Sequence, residues 1–170
     1  MKSSKRNILK ILTIIYFSLI IIGCTPRSPN DPGVPLDVLK KKVIASGNKN
    51  AYEKLYIAYF DESGKEDFIL YSIIMANKYE SPDGCYQVYL GLKSIYNNEL
   101  ADMKEDMRSI AIQYLKKAAS LNSVQANEEL GNLYIEGEYL PRDLSLGEQL
   151  IKHASMLENK RKRWYYRIFN

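Results

Sequence analysis

Small side chains return at a fixed interval in segments that read as helices. Ala111 and Gly147 are 36 residues apart, and so are Ala118 and Ala154. Helix axes come within about 8–10 Å of each other only where facing side chains permit it. Small positions repeating at one interval therefore predict similar helix pairs stacked in series, each unit burying a face against the next. The apolar residues agree. They recur at helical spacing in Val38 to Ala45 (closed by Gly47), Ala51 to Tyr59, Asp67 to Lys78 (closed by Ser81-Pro82-Asp83-Gly84), Tyr86 to Asn97, Asp106 to Leu121, Ser123 to Glu136 (closed by Gly137) and Ser145 to Leu157. No alternating strand series competes. The predicted fold is all-α: a short α-solenoid of stacked antiparallel helix pairs, about three repeats, with the first helix and the C-terminal tail as caps.

The repeats carry a motif. Ala126-x-x-x-Leu130-Gly131-x-x-Tyr134-x-x-Gly137 is followed by Asp143-x-x-x-Gly147-x-x-Leu150-Ile151-x-His153-Ala154-Ser155. Upstream stand Tyr86-x-x-x-Leu90-Gly91 and Ala111-x-x-Tyr114-Leu115-x-Lys117-Ala118-Ala119, and before them a degenerate copy from Ala51-x-x-x-Leu55-x-x-x-Tyr59 to Met75-Ala76. These residues resemble the SEL-like subfamily of tetratricopeptide repeats. Gly147 stands where that family has alanine, and His153 where it has lysine. The Asn97 to Lys104 segment lacks the family's glycine loop and is longer. The resemblance implies a curved stack whose groove recognises protein. Gly131 inside a helix costs roughly 1 kcal/mol in propensity, which close helix contact would justify. Leu90, Leu115, Leu130 and Leu150 are expected to fill the layer between helices. Tyr96, Tyr114 and Tyr134 are expected to be half-buried, with hydroxyls reaching neighbouring turns.

The N-terminus has a different character. Lys2, Lys5, Arg6 and Lys10 precede or border an apolar run from Ile8 to Ile22. Basic residues before a short apolar segment are the layout of an export signal. The run is shorter than the roughly 20 residues that a spanning helix needs. It ends in Ile21-Ile22-Gly23-Cys24, which resembles the lipobox of bacterial lipoprotein signal peptides. That likeness implies a diacylglycerol on the Cys24 thiol, cleavage just before it, and further acylation with a fatty acid such as palmitate. Several acyl chains anchor stably, because each buried CH₂ contributes roughly 0.8 kcal/mol. Pro26, Pro29, Pro32 and Pro35 then exclude a helix or central strand and predict a tether. The expected organisation is a signal peptide at 1–23, a proline-rich tether at 24–35 and a helical-repeat domain at 36–170. Thr25 after the cysteine, in place of an aspartate, implies by the same likeness the outer membrane, facing the periplasm.

Charge narrows the partners. The chain carries 24 Lys and Arg against 20 Asp and Glu, and residues 1–23 hold four of the cations and no acid, so the expected mature chain has 20 of each. A chain of zero net charge is not an obvious nucleic-acid binder, and no nucleic-acid partner is expected. With Cys24 lipidated, Cys85 has no partner for a disulfide and reads as a small buried apolar residue. His153 is the only histidine. One histidine and one free cysteine make neither a zinc cluster nor a supported catalytic pair, so no catalytic residue, metal or cofactor is expected. Glu105-Asp106 and Asp143 read as helix starts, and the remaining acids as solvated faces. Asp61 to Asp67 lacks the ligand spacing of a calcium loop.

Two features are candidate interaction surfaces. Tyrosine is abundant, with 14 against a single tryptophan, and Tyr52, Tyr56 and Tyr139 stand outside the core of the repeat pattern. Tyrosine offers wide contact area with few rotors, which suits protein interfaces. The tail from Lys160 to Arg167 sets Trp164 and Tyr165 beside basic residues. It reads either as a surface for anionic lipid or an acidic protein patch, or as a cap with Trp164 and Phe169 packed on the last helix. Three roles follow as expectations: a lipid-anchored protein-binding scaffold or adaptor; an immunity protein neutralising a secreted antibacterial effector toxin such as a phospholipase, which small SEL-like lipoproteins resemble; or a structural stabiliser of an envelope complex.

Overall fold

A computed structural model describes residues 33–61 and 65–169 of the chain. The residues expected to form the export signal, the lipobox and most of the tether lie outside the described residues. Val34–Asn170 forms one compact unit.

The described chain holds seven helices: α1 (Leu36–Ser46), α2 (Lys49–Asp61), α3 (Lys65–Lys78), α4 (Pro82–Ser94), α5 (Glu105–Ser120), α6 (Val124–Glu136) and α7 (Leu144–Phe169). No strand occurs among the described residues. Each helix packs on its neighbour in the chain, and α1 also meets α3. This is the expected all-α stack of helix pairs.

One junction is used three times. Gly47, Glu80 and Asn122 have left-handed backbones, with φ of 61°, 49° and 64°. Each turns the chain sharply into the next residue, Asn48, Ser81 or Ser123. The side-chain oxygen of that residue accepts the N–H of Ala51 (2.8 Å), Gly84 (3.1 Å) or Ala126 (3.3 Å). Each cap satisfies a donor that the first turn leaves orphaned. The small residue it caps is buried in all three helices.

These caps correct the repeat register in the middle unit. Counted from the cap, the equivalent of Ala126 and Leu130 is Gly84 and Val88, not Tyr86 and Leu90. Ala51 and Leu55 of α2 do fall in register with Ala126 and Leu130. Sequence matching slid by two residues in α4 because a Leu-Gly pair occurs there by a different necessity: Gly91 lies against Ile69 of α3, whereas Gly131 lies against α7.

The second helices keep the 36-residue register. Ala118 and Ala154 are 0 % and 4 % exposed, and Gly147 is buried like Ala111. Lys117 Nζ donates to the Ala76 carbonyl at the end of α3 (2.8 Å). His153 Nε2 lies 2.9 Å from Asn122 Oδ1, at the end of α5. Lysine and histidine at one repeat position thus do similar work, each tying its helix to the C-terminal end of the second helix before it. The middle unit is longer because the α4–α5 connection has ten residues and the α6–α7 connection seven, and because α5 starts 13 residues before Ala118 while α7 starts ten before Ala154. Leu100 and Met103 in the longer connection are buried and join the core.

The α6–α7 crossing is made of glycine. A β-carbon added to Gly131 would lie 2.8 Å from the Gly147 carbonyl oxygen, and one added to Gly147 would lie 2.7 Å from that of Gly131. Backbone meets backbone here, which is the close contact that a mid-helix glycine was expected to serve. Leu115 and Leu130 are buried, and Leu90 and Leu150 pack partly buried against the same core. Tyr96, Tyr114 and Tyr134 are half-buried, and the Tyr114 hydroxyl accepts from Asn77 Nδ2 at 2.9 Å. Cys85 is fully buried, and burial pushes its thiol pKa up.

Candidate functional site

Two grooves open between the first helices of successive units. The first, about 230 Å³, is lined by Tyr56 and Tyr59 of α2, Phe68 and Ile69 of α3, and Gln87, Leu90, Gly91 and Ser94 of α4, with Asn98 beyond. Its floor is aromatic. Phe68 sits at the centre of three tyrosines, with ring centroids 5.0 Å from Tyr52, 5.4 Å from Tyr56 and 6.1 Å from Tyr59. Rings at these separations hold one another in offset or tilted contact. Gly91 supplies no side chain, so the wall of α4 is notched beside Leu90.

The second groove, about 330 Å³, lies between α4, α6 and their following connections. It is lined by Lys93, Glu99, Leu100, Glu129, Asn132, Leu133, Glu136, Glu138 and Tyr139. Four carboxylates face one lysine, so the groove is acidic. Glu129 Oε1 accepts both the Tyr89 hydroxyl (2.6 Å) and Lys93 Nζ (3.1 Å). The Tyr89 ring is fully buried, and burial, then the bond to Glu129, drives its pKa well above the ordinary value of 10. This triad clamps α4 to α6 across the groove. Tyr86 is raised to about 12 by burial and by the charges of Glu129 and Glu128.

The tyrosines singled out from sequence separate. Tyr56 lines the apolar groove and Tyr139 the acidic one, where the Arg108 guanidinium lies 5.3 Å from the Tyr139 ring centre. Tyr52 is 3 % exposed, with its hydroxyl 2.8 Å from Ser72 Oγ. It therefore belongs to the core between α2 and α3 and offers no ring to a partner. Trp164 and Tyr165 sit in neither groove. They lie on α7, which runs unbroken past Leu157 instead of ending there, so the tail is not folded back as a cap, and Trp164 is 62 % exposed. Cys24, Ile21, Ile22 and Gly23 lie outside the described residues.

Sequence reading missed Phe68, Gln87, Lys93 and Glu129 as groove residues. Lys93 and Glu129 are 36 residues apart, an interval that could have paired them. Phe68 and Gln87 carried no such signal.

Among the described residues no group of histidine, cysteine and carboxylate side chains could hold a metal ion, and no buried side-chain nitrogen or oxygen lacks a hydrogen-bond partner. No described helix is long and apolar enough to cross a membrane. No family model matches this chain, and no curated protein or solved structure matches it. The class that the fold defines is a purely helical, repeat-like protein of the kind that serves as a protein-interaction scaffold.

Proposed function

We propose that this chain is a lipid-anchored, non-enzymatic adaptor of the bacterial cell envelope, held by acylated Cys24 at the outer membrane on its periplasmic side, and that it grips a protein partner along its first helices. The observation that carries the reading is the pairing of an apolar groove floored by Tyr56, Tyr59 and Phe68 with an acidic groove around Glu99, Glu129, Glu136 and Glu138, both bordered by α4. An apolar strip gives a partner desolvated contact, and an adjacent acidic strip sets its register and charge. Such a partner presents bulky apolar side chains beside basic ones. The resemblance to SEL-like repeats supports protein recognition, and the lipobox-like Ile21-Ile22-Gly23-Cys24 supports the envelope setting.

Two measurements test it. Cys24→Ala is expected to abolish incorporation of labelled fatty acid and to release the chain from membranes; unchanged acylation sinks the anchor. A photocrosslinking residue placed at Gln87 or Glu136 is expected to trap one stoichiometric protein in intact cells, while the same probe at Lys152 traps none. Equal crosslinking from all three positions removes the grooves from the account. An exported toxin as the trapped protein assigns the immunity role, and several subunits of one assembly assign the stabilising role.

A further inference from the structure

Beyond Leu157, α7 leaves the body of the domain. Every residue from Asn159 to Ile168 is exposed, a projection of about 15 Å at helical rise. It is not a neutral spacer. Lys160, Arg161, Lys162 and Arg163 form one turn of cations, and Trp164, Tyr165 and Tyr166 follow directly, with Arg167 and Ile168 after them. Trp164, Tyr166 and Ile168 are 62 %, 65 % and 53 % exposed. Bulky apolar side chains gathered on a projecting segment mark an interaction surface.

The charge is segregated between this segment and the rest. Residues 158–170 hold five cations and one acid, Glu158, which Lys162 meets at 3.2 Å. Residues 24–157 are left with 15 cations and 19 acids. In the described residues before 158 there are 14 cations and 17 acids, so the described body is net acidic and the helical tip basic.

We infer that the C-terminal segment of α7 docks on an anionic phospholipid surface. Cations near such a surface are attracted to the headgroups, and tryptophan and tyrosine rings settle at the membrane–water boundary. The arrangement around the helix favours lipid over a protein groove. Three consecutive aromatic residues point about 100° apart around the axis, and the cations likewise spread to all sides. A protein groove reads one helix face, at i, i+3, i+4 and i+7. A fluid interface accepts side chains from every side of a helix end. The acidic body is repelled by the same surface, so the basic tip is the part that meets the lipid. The inference is independent of acylation at Cys24 and of what the grooves bind.

The test uses Val34–Asn170, a compact unit with its own core and without Cys24. Trp164 is the only tryptophan, so its emission reports the tip alone. The expected result is a blue shift and co-flotation with vesicles of phosphatidylglycerol in phosphatidylcholine, none with phosphatidylcholine alone, and reversal by high salt. Arg161→Gln with Arg163→Gln is expected to weaken partitioning about 25-fold, at about fivefold per cation, with unchanged melting by circular dichroism. Absence of a shift on anionic vesicles overturns the inference, and so does equal binding to both vesicle types. A shift that grows with protein concentration in the absence of lipid, and follows a dimer in sedimentation, overturns it in favour of a second copy of this chain.

Discussion

Glycine does opposite jobs in two kinds of contact, and substitution separates them. At Gly131 and Gly147 an added β-carbon meets the other glycine's backbone oxygen, at 2.8 and 2.7 Å. Backbone cannot rotate aside, so the helices must part. Gly131→Ala and Gly147→Ala are each expected to lower stability by about 1–3 kcal/mol, the usual cost of overpacking, despite a propensity gain of about 1 kcal/mol. At Gly91 the β-carbon would meet side-chain atoms alone, Cδ1 and Cγ1 of Ile69 at 3.0 and 3.1 Å, which need give by only a few tenths of an ångström. Gly91→Ala is expected to leave stability unchanged or raised while it fills the notch in the apolar groove. Urea denaturation of the three variants decides this. Tyr89→Phe is a further test at this scale. It removes a hydroxyl donated to a carboxylate, and bonds to charged groups contribute about 1.5–3 kcal/mol. The same denaturation curves should show a loss in that range, with Lys93 left as the tie to Glu129.

At the scale of elements, the repeated unit is the junction more than the helix. A left-handed residue, a capping side chain and a buried small residue recur at α2, α4 and α6. Ser81→Ala and Ser123→Ala are each expected to cost about 1 kcal/mol. Because the two caps lie in different units, their effects should add within about 0.5 kcal/mol. A double variant that loses much more than the sum would show that the junctions are coupled through α5. The end of α7 obeys another rule. It is a long helix whose N-terminal half is held by α6 and whose residues from Asn159 to Ile168 are exposed, so deletion of residues 160–170 is expected to leave the melting temperature of the domain unchanged.

At the scale of the whole molecule, the described residues form two cores that meet at α3. Met75 belongs to the cluster of α1 to α3, and Ala76 to the cluster of α4 to α6. Tyrosines from both clusters hold their protons more tightly than free tyrosine. Tyr86 is raised to about 12, and burial lifts Tyr52 and Tyr89 further. The sign follows directly. Below pH 10 these phenols are neutral whether folded or unfolded, so the contribution is fully present. Above pH 10 the unfolded chain sheds protons that the folded chain keeps, and stability falls as pH rises toward the folded pKa values. Melting followed from neutral pH upward should therefore decline beyond about pH 10. Tyrosinate absorbance of the folded protein should lag that of the urea-unfolded chain, and Tyr86→Phe should reduce the decline. A melting temperature that stays flat through pH 11 would remove the buried phenols from the account.

Local physics made much of this legible from residues alone. Helical spacing, Gly47 and Gly137 as terminators, and Ala118 and Ala154 at one interval needed only neighbours in the chain to predict helices, stops and repeating contact. What residues alone did not decide was which face of each helix meets which neighbour. Leu90-Gly91 matches Leu130-Gly131 in letters, yet one glycine serves α3 and the other α7, because register is set by the capped turn and by the length of the connection before the next helix. Tyr52 and Tyr56 are four apart and alike in chemistry. One is swallowed by Ser72 and Phe68 and the other lines a groove, a difference created only when α3 arrives from beyond α2. Pattern along a chain reports what a helix can bury; the angle and offset at which the next helix lands determine what it does bury, and so what remains for a partner to touch.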